Sequence, residues 1–211
     1  MESPELNKPD SKEARDKFTL GLELASDPRW VDIARHNIRD ILVDHAYCEQ
    51  KAATSCISLI VQYPELDALV EMLTPVVAEE WNHFERVVAE LRKRGFSLGP
   101  QRKDEYIEAL SKVVRKGGSR NQHLVEKLLM NAMIEARSCE RFKILWKNID
   151  DKDLSEFYYE LMVSEAGHYK NFLQLAKTYL PAEEVMSRWR EWLSAEADIV
   201  KNLTVRGDRM H

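Results

Sequence analysis

A lone glutamate followed about thirty residues later by a Glu-x-x-His motif occurs twice in this sequence, and no other feature restricts the fold as much. The residues are Glu49 with Glu80 and His83 in the first half, and Glu135 with Glu165 and His168 in the second. Glu-x-x-His alone arises often by chance, but the matched upstream glutamates reduce coincidence to roughly 1%. This set is typical of a di-metal carboxylate site in a four-helix bundle.

The positions of the predicted turns support this interpretation. Two residues of a helical hairpin lie at the same height when they are equidistant from its turn. The first glutamate pair is centred on Pro64-Glu65 and the second on Asp150, and both centres fall between predicted helices. Each lone glutamate should therefore face a Glu-x-x-His motif across its hairpin, with the histidine on the same helix face as its glutamate.

The helical periodicity predicts an all-α protein, a ferritin-like four-helix bundle with one long crossover and extra short helices, as a single domain over 1–211. Long helices are predicted over about 37–62, 65–94, 122–147 and 154–179, short ones over about 28–36 and 104–114, and an additional C-terminal helix over 181–203. Residues 95–121 form the crossover, and 1–27 are expected to be partly extended or frayed. Pro75 should kink the second long helix.

Composition excludes several classes of protein. The net charge of −5 argues against a strongly basic surface for non-specific nucleic-acid binding. No apolar run approaches the roughly 20 residues of a membrane span, and no signal peptide is visible, so we expect a cytoplasmic protein without membrane contact. The cysteines form no Cys-x-x-Cys motif, which predicts buried reduced thiols at Cys48, Cys56 and Cys139.

All four glutamates of the repeat interrupt apolar helix faces. A carboxylate in a protein core is costly unless it is paired, protonated or bound to metal. Two divalent ions would neutralise four carboxylates, and a carboxylate-rich site with two imidazoles favours iron or manganese over zinc, with iron preferred. The alternative is four core carboxylates that pair with Arg137, Arg141 or Tyr169, which would not explain the matched spacing.

Several neighbouring residues receive other interpretations. Glu140 competes with Glu135, but its mostly polar face indicates a surface or outer salt-bridge residue. Glu79 is expected to be solvated. His45, one turn before Glu49, could hold a hydrogen bond that supports a metal ligand, but a satisfied core histidine is preferred. Two tryptophans of the last helix, Trp189 and Trp192, are expected to pack onto the bundle. Three histidines carry no functional signal: His36, His123 and His211.

Four segments resemble a narrower family, the bacterial tRNA 2-methylthio-isopentenyladenosine hydroxylases. They are Asp44-His-Ala-Tyr-Cys-Glu-Gln-Lys-Ala-Ala53, Glu80-Trp-Asn-His-Phe84, Glu135-Ala-Arg-Ser-Cys-Glu-Arg-Phe142 and Ser164-Glu-Ala-Gly-His-Tyr169. The resemblance covers about 30–180, and the third segment is the most particular. It implies a non-haem di-iron monooxygenase with two iron ions, whose ligands would be Glu49, Glu80, His83, Glu135, Glu165 and His168.

The resemblance also implies the co-substrate and the partners. Dioxygen would place a hydroxyl on the isopentenyl side chain of a modified adenosine in the tRNA anticodon loop, with two electrons from an external reductase. For the tRNA contact, the basic cluster of Arg115, Lys116 and Arg120 is the first candidate. Two alternatives are a ferritin-like iron-handling or peroxide-scavenging protein and a non-catalytic helical interaction module. The sequence does not predict the oligomeric state.

Overall fold

The computed structural model describes residues 19–211, so the first eighteen residues of the segment expected to be frayed lie outside the described part. Between residues 19 and 211 the chain forms a short 3-10 turn, seven α-helices and no strand. The turn is Thr19–Gly21, and the helices are α1 (Arg29–Arg35), α2 (Ile38–Gln62), α3 (Asp67–Lys93), α4 (Glu105–Ser111), α5 (Arg120–Asn148), α6 (Lys152–Tyr179) and α7 (Ala182–Asn202). The all-α prediction is confirmed.

Two helical hairpins form the bundle. Helix α2 packs along α3, and α5 packs along α6, because short turns at 63–66 and 149–151 bring consecutive helices side by side. The hairpins are joined by the long crossover that contains α4. Helix α7 lies against α5 and α6, and its two tryptophans, Trp189 and Trp192, are buried as expected. This is the ferritin-like arrangement that the sequence predicted.

Side-chain caps set the helix starts more sharply than periodicity does. Ser119 Oγ accepts a hydrogen bond from the Gln122 amide at 3.2 Å, and the Gln122 side chain accepts one from the Ser119 amide at 2.8 Å. This capping box starts α5 two residues before the predicted boundary. Asp151 caps α6 in the same way, through the Leu154 amide at 3.1 Å. Helix α3 is continuous through Pro75.

The core consists of two apolar clusters at opposite ends of the bundle. In α2, for example, Ile41 and Leu42 belong to one cluster and Cys56 and Leu59 to the other. The polar residues of the sequence repeat lie between the two clusters along the helices. Leu22 is also buried, so the chain is packed against the bundle from the start of its described part. None of the helices in 19–211 is long and apolar enough to cross a membrane.

Candidate metal centre

The six residues of the repeat come together in the middle of the bundle. Each is at most 5% exposed. They form two groups of four residues that could each hold a metal ion, in which the ligating atoms lie within 4.8 Å of one another. Both groups contain Glu80 and Glu165; Glu49 and His83 complete the first, and Glu135 and His168 complete the second. Two carboxylates shared between two groups is the arrangement that a pair of adjacent metal ions requires.

Both histidines turn the same ring nitrogen toward the carboxylates. Nδ1 of His168 lies 2.7 Å from Oε1 of Glu80 and 3.2 Å from Oε2 of Glu165. Nδ1 of His83 lies 3.4 Å from Oε1 of Glu165, 3.6 Å from Oε2 of Glu80 and 3.7 Å from Oε2 of Glu49. Residues three apart on a helix share a face, which is why each histidine lies beside the glutamate of its own motif.

Several polar atoms of this cluster have no hydrogen-bond partner among residues 19–211. They are Oε2 of Glu80, Oε1 of Glu165 and Nδ1 of His83. A buried polar atom without a partner is costly, and a buried charged one more so. Carboxylate oxygens and imidazole nitrogens are ligands of iron and manganese, so two such ions would fit the donor set and satisfy these atoms.

The charges of the cluster perturb one another strongly. Burial raises the pKa of Glu135 well above its usual range, and the carboxylates of Glu165 and Glu80 raise it further. Burial also raises the pKa of Glu49. For His83, burial lowers the pKa, but the nearby carboxylates of Glu49 and Glu80 outweigh this and raise it to about 10. Such a cluster of like charges favours the binding of cations.

Two residues outside the repeat support the cluster. Oε2 of Glu79 lies 2.7 Å from Nε2 of His168, so Glu79 has a specific partner although its side chain is 55% exposed. Nε2 of His45 lies 2.5 Å from Oε1 of Glu49. His45 is thus a core histidine, as expected, and it also makes the supporting hydrogen bond that the sequence left open. Its ring is fully buried among aromatic rings, and burial lowers its pKa to about 3.

Glu140 is buried, at 5% exposed, so its interpretation as a surface residue is wrong. The expected salt bridge is present, because Arg137 Nη1 donates to Glu140 Oε2 at 3.0 Å. Arg137 also donates to Glu196 at 2.7 and 2.8 Å. The alternative in which Arg137 neutralises the repeat carboxylates is therefore wrong, because this guanidinium serves two other acids. Arg137, a polar neighbour that made Glu140 look exposed, is itself buried.

A cavity of about 310 Å³ between α2, α4 and α5 reaches the cluster at Glu135. Its walls are largely apolar and include Ala52, Leu59, Met130 and Ile134. The polar side chains that also line it include Lys51, Gln62, Lys127 and Asn131. On one side Cys48, Asp104 and His211 also approach one another, and the ammonium of Lys51 pairs with Asp104. Sequence reasoning found no role for His211, because nothing local indicates that the chain folds back here.

The structure separates the three residues of the predicted tRNA cluster. Arg120 donates to the Gln62 carbonyl at 2.6 Å, while Lys127 at the cavity donates to the Gln62 side chain at 2.5 Å. Arg115 and Lys116 line a different recess, in which Arg115 pairs with Glu191 at 2.6 Å. Arg120 therefore lies near the cavity that leads to Glu135, whereas the other two do not line it.

Comparisons with known proteins agree with this geometry. Residues 15–211 match the family described as tRNA-(MS[2]IO[6]A)-hydroxylase (MiaE). A Pseudomonas putida protein named tRNA 2-(methylsulfanyl)-N(6)-isopentenyladenosine(37) hydroxylase is 38% identical over 150 residues, 71% of this chain and 72% of that protein. A Salmonella typhimurium protein of the same name is 29% identical over 220 residues, 81% of this chain and 80% of the relative.

A solved structure is also similar to this chain. It is described as Protein 43 with aldehyde deformylating oxygenase activity from Synechococcus. The two chains superpose with a TM-score of 0.85 and 33% sequence identity, over 90% of this chain and 94% of that one. The likeness extends over nearly the whole bundle, including all four helices that carry the metal-binding candidates.

Proposed function

We propose, because this chain belongs to the MiaE family of tRNA hydroxylases, that it hydroxylates the isopentenyl side chain of 2-methylthio-isopentenyladenosine in tRNA. It does so as a non-haem di-iron monooxygenase. The observation that carries the proposal is the placement of four buried carboxylates and two imidazoles at one level of the bundle. Family membership favours this activity over iron storage and over a non-catalytic module. A largely apolar cavity that reaches the cluster also suits a hydrocarbon substrate.

Six residues would hold two iron ions, with Glu80 and Glu165 shared between them: Glu49, Glu80, His83, Glu135, Glu165 and His168. When bound, iron supplies the activation of O2, in which one oxygen atom enters the C–H bond of the substrate and the other leaves as water, with two electrons and two protons from outside. A reductase must deliver these electrons, since the chain lacks a Cys-x-x-Cys motif for a redox centre of its own.

The protein's own residues orient the ligands and exclude water. With an ion held at Nδ1, Glu79 would accept the Nε2 proton of His168 and so orient its ring. His45 fixes one oxygen of Glu49, so that the other is turned toward His83. Neighbouring apolar residues, including Phe142 and Leu161, are buried and keep water from the cluster.

The cavity at Glu135 would receive the isopentenyl group. Its walls are apolar, as a hydrocarbon side chain requires, and its volume of about 310 Å³ accommodates a prenyl group. Lys51 and Lys127 lie among its polar lining residues. Their ammonium groups offer charge near the cavity for a nucleic-acid backbone, although Lys51 already pairs with Asp104.

The test is a direct assay of oxygen insertion. The full-length chain is loaded with Fe(II) under anaerobic conditions and then supplied with prenylated, methylthiolated tRNA, a reductase and ¹⁸O2. Nucleosides from the digested tRNA should contain one labelled oxygen on the isopentenyl group. Omission of the reductase and tRNA that lacks the isopentenyl group are the controls. Iron-loaded protein that consumes O2 without labelling the nucleoside would contradict the proposal.

A further inference from the structure

Arg141 is a buried cation whose hydrogen-bond donors are not all used. It lies on α5 in the sequence run that carries Glu135, and it is only 7% exposed. Its guanidinium carbon lies 4.0 Å from the centroid of the Trp30 ring, so the flat face of the group is stacked. The donors lie in the plane of the guanidinium and not on its face. Two of them, Nε and Nη1, have no hydrogen-bond partner among residues 19–211.

The nearby acids are occupied by other donors. Glu140 accepts from the Ser26 amide at 2.8 Å, from Ser26 Oγ at 2.5 Å and from Arg137 at 3.0 Å. Glu196 accepts from Arg137 and from the Tyr106 hydroxyl, the latter at 3.1 Å. Arg141 is thus close to acids without sharing their hydrogen bonds. Burial lowers the pKa of Arg141 to about 10, which shows the cost of keeping this charge out of water.

Arg141 lines a cavity of about 560 Å³, which lies between the segment 24–30, helix α5 and the chain after α7. Three exposed cations also line it, namely Arg29, Lys201 and Arg206. Asp27 is the only carboxylate among the described residues that line the cavity, and it is paired with Arg29 at 2.5 Å. Arg206 is paired with Asp208 at 2.9 and 3.0 Å, and the buried Arg137 is paired with Glu140 and Glu196. Arg141 and Lys201 are therefore the lining cations without a carboxylate hydrogen-bonded to them among the described residues, and the unused donors belong to the buried one.

We propose that this cavity is a binding site for a phosphate group, with Arg141 as its buried donor. A guanidinium presents N–H groups in a fixed planar fork that matches a phosphate, and charge-assisted bonds of this kind are the strong ones. Arg141 follows Glu135 by six residues on α5, or about 9 Å of helix rise. His211 lines both this cavity and the one at Glu135, so the two are neighbours.

Orthophosphate binding to the full-length chain tests the site. Calorimetric titration is performed with iron-loaded and iron-free protein, at constant ionic strength with chloride as the balancing anion. Arg141→Gln should weaken the affinity at least about tenfold in both forms, because it removes a charged donor. Lys201→Gln should weaken it a few-fold, and Lys152→Gln, at an exposed cation far from the cavity, should have no effect. Phosphate that binds only to the iron-loaded form reports the metal and overturns the site.

A second measurement keeps the test decisive if Arg141→Gln does not fold. Thermal unfolding of the unaltered chain should shift upward with orthophosphate, and Lys201→Gln should reduce that shift. Absence of both the shift and the calorimetric binding at millimolar phosphate would overturn the proposal. These are binding measurements, so failure here leaves the proposed hydroxylation standing, and failure of the hydroxylation assay leaves this site standing.

The same probe identifies the source of the phosphate. If the group belongs to tRNA, saturating tRNA should displace orthophosphate, and Arg141→Gln should also weaken tRNA binding. If the source is free phosphate, tRNA and orthophosphate should bind together, and the variant should bind tRNA as the unaltered chain does. Either result supports a phosphate site, whereas equal orthophosphate affinity of Arg141→Gln and the unaltered chain would overturn it.

Discussion

The imidazole Nε2 of His168 lies 2.7 Å from the carboxylate Oε2 of Glu79, which reaches it from the opposite hairpin. Glu79 directly precedes Glu80, so one stretch of α3 supplies a candidate ligand and the partner of another ligand. The carboxylate holds the Nε2 edge of the ring, while Nδ1 faces the cluster. Residues that orient metal ligands in this way affect affinity nearly as strongly as the ligands themselves.

Glu79→Ala should therefore weaken iron binding by about 10- to 100-fold, because His168 loses the group that fixes its tautomer and ring position. The measurement is Fe(II) affinity by competition with a chelator, followed by the spectrum of the oxidised protein. Glu71→Ala is the matched control, since Glu71 is an exposed glutamate of the same helix. Equal iron affinity of the two variants would show that the contact has no role in metal binding.

Glu135 and Glu140 lie five residues apart on α5 and should have opposite effects when neutralised. Glu135→Gln replaces a buried carboxyl group whose pKa burial raises well above its usual range, so the iron-free chain should keep its free energy of unfolding while iron content falls below two per chain. Glu140→Gln removes one of the two acids that pair with Arg137, and because Glu196 remains a partner the loss should stay below the roughly 3–5 kcal/mol of a fully broken buried pair. Its iron content should be unchanged.

Elemental analysis and urea unfolding of both variants provide the check. The expected pattern is a loss of metal without loss of stability for Glu135→Gln, and the reverse for Glu140→Gln. A reversed pattern would mean that Glu140 belongs to the metal centre, which is the alternative that sequence spacing rejected.

The repeat at Glu49, Glu80, Glu135 and Glu165 was sufficient to predict the bundle, because hairpin geometry converts equal distances from a turn into equal height. For the cysteines, burial of Cys56 and Cys139 is confirmed, whereas Cys48 is half-buried, and the three form no disulfide among the described residues. These predictions succeed because each concerns a single helix or a single hairpin, where the hydrophobic periodicity and the length of each segment determine which residues share a face.

The contacts between hairpins could not be predicted in the same way. Helical periodicity correctly puts Glu79 on an exposed face, but it does not reveal that the His168 ring reaches the edge of the bundle. Ser26 and Glu140 are 114 residues apart, and nothing in either local sequence indicates their pairing. The role of His211 likewise depends on the path of the chain after α7. Long-range polar pairs need the packed structure.

The width of the cavity at Glu135 should control access of the substrate. Ala52→Phe introduces a ring among the lining residues, so kcat/KM for prenylated tRNA should fall at least about tenfold, equivalent to about 1.4 kcal/mol. Iron content should not change, because Ala52 is not a ligand. Ala89→Phe, at an exposed position of α3, is the size-matched control and should retain full activity. Full activity of Ala52→Phe would place the substrate elsewhere.

The tRNA contact can be tested at the member of the predicted basic cluster that lies nearest this cavity. Arg120→Gln should weaken tRNA binding and reduce the slope of log affinity against log salt concentration by about 0.7–0.9, the value for one phosphate contact. Arg115→Gln should have a smaller effect, because Arg115 lines a different recess, whereas each of the two arginines has a glutamate partner. Lys152→Gln, at the other end of the bundle, is the charge-matched control. Identical salt slopes for Arg120→Gln and the control would exclude Arg120 from the interface.

The C-terminal histidine should make stability depend on pH. Burial lowers the pKa of His211 from 6.5 to about 3 in the folded chain. Its Nε2 lies 2.9 Å from Ser138 Oγ, and its ring stacks on Tyr106. Below pH 6.5 the unfolded chain binds a proton at this residue that the folded chain does not. The free energy of unfolding should therefore decrease as the pH falls, by at most about 1.4 kcal/mol per pH unit from His211.

Urea unfolding of iron-free protein at pH 7, 6 and 5 measures this dependence. His211→Gln should remove the His211 part of the slope, while His36→Gln, at an exposed histidine, should retain it. His45 contributes a slope of the same sign, because its folded pKa is also lowered, while His83 and His168 contribute slopes of the opposite sign, because their folded pKa values are raised to about 10 and about 11. Both variants keep these three residues. The difference between the two variants therefore isolates His211. Parallel curves for His211→Gln and the unaltered chain would mean that the terminal imidazole is solvated and already free to titrate in the native protein.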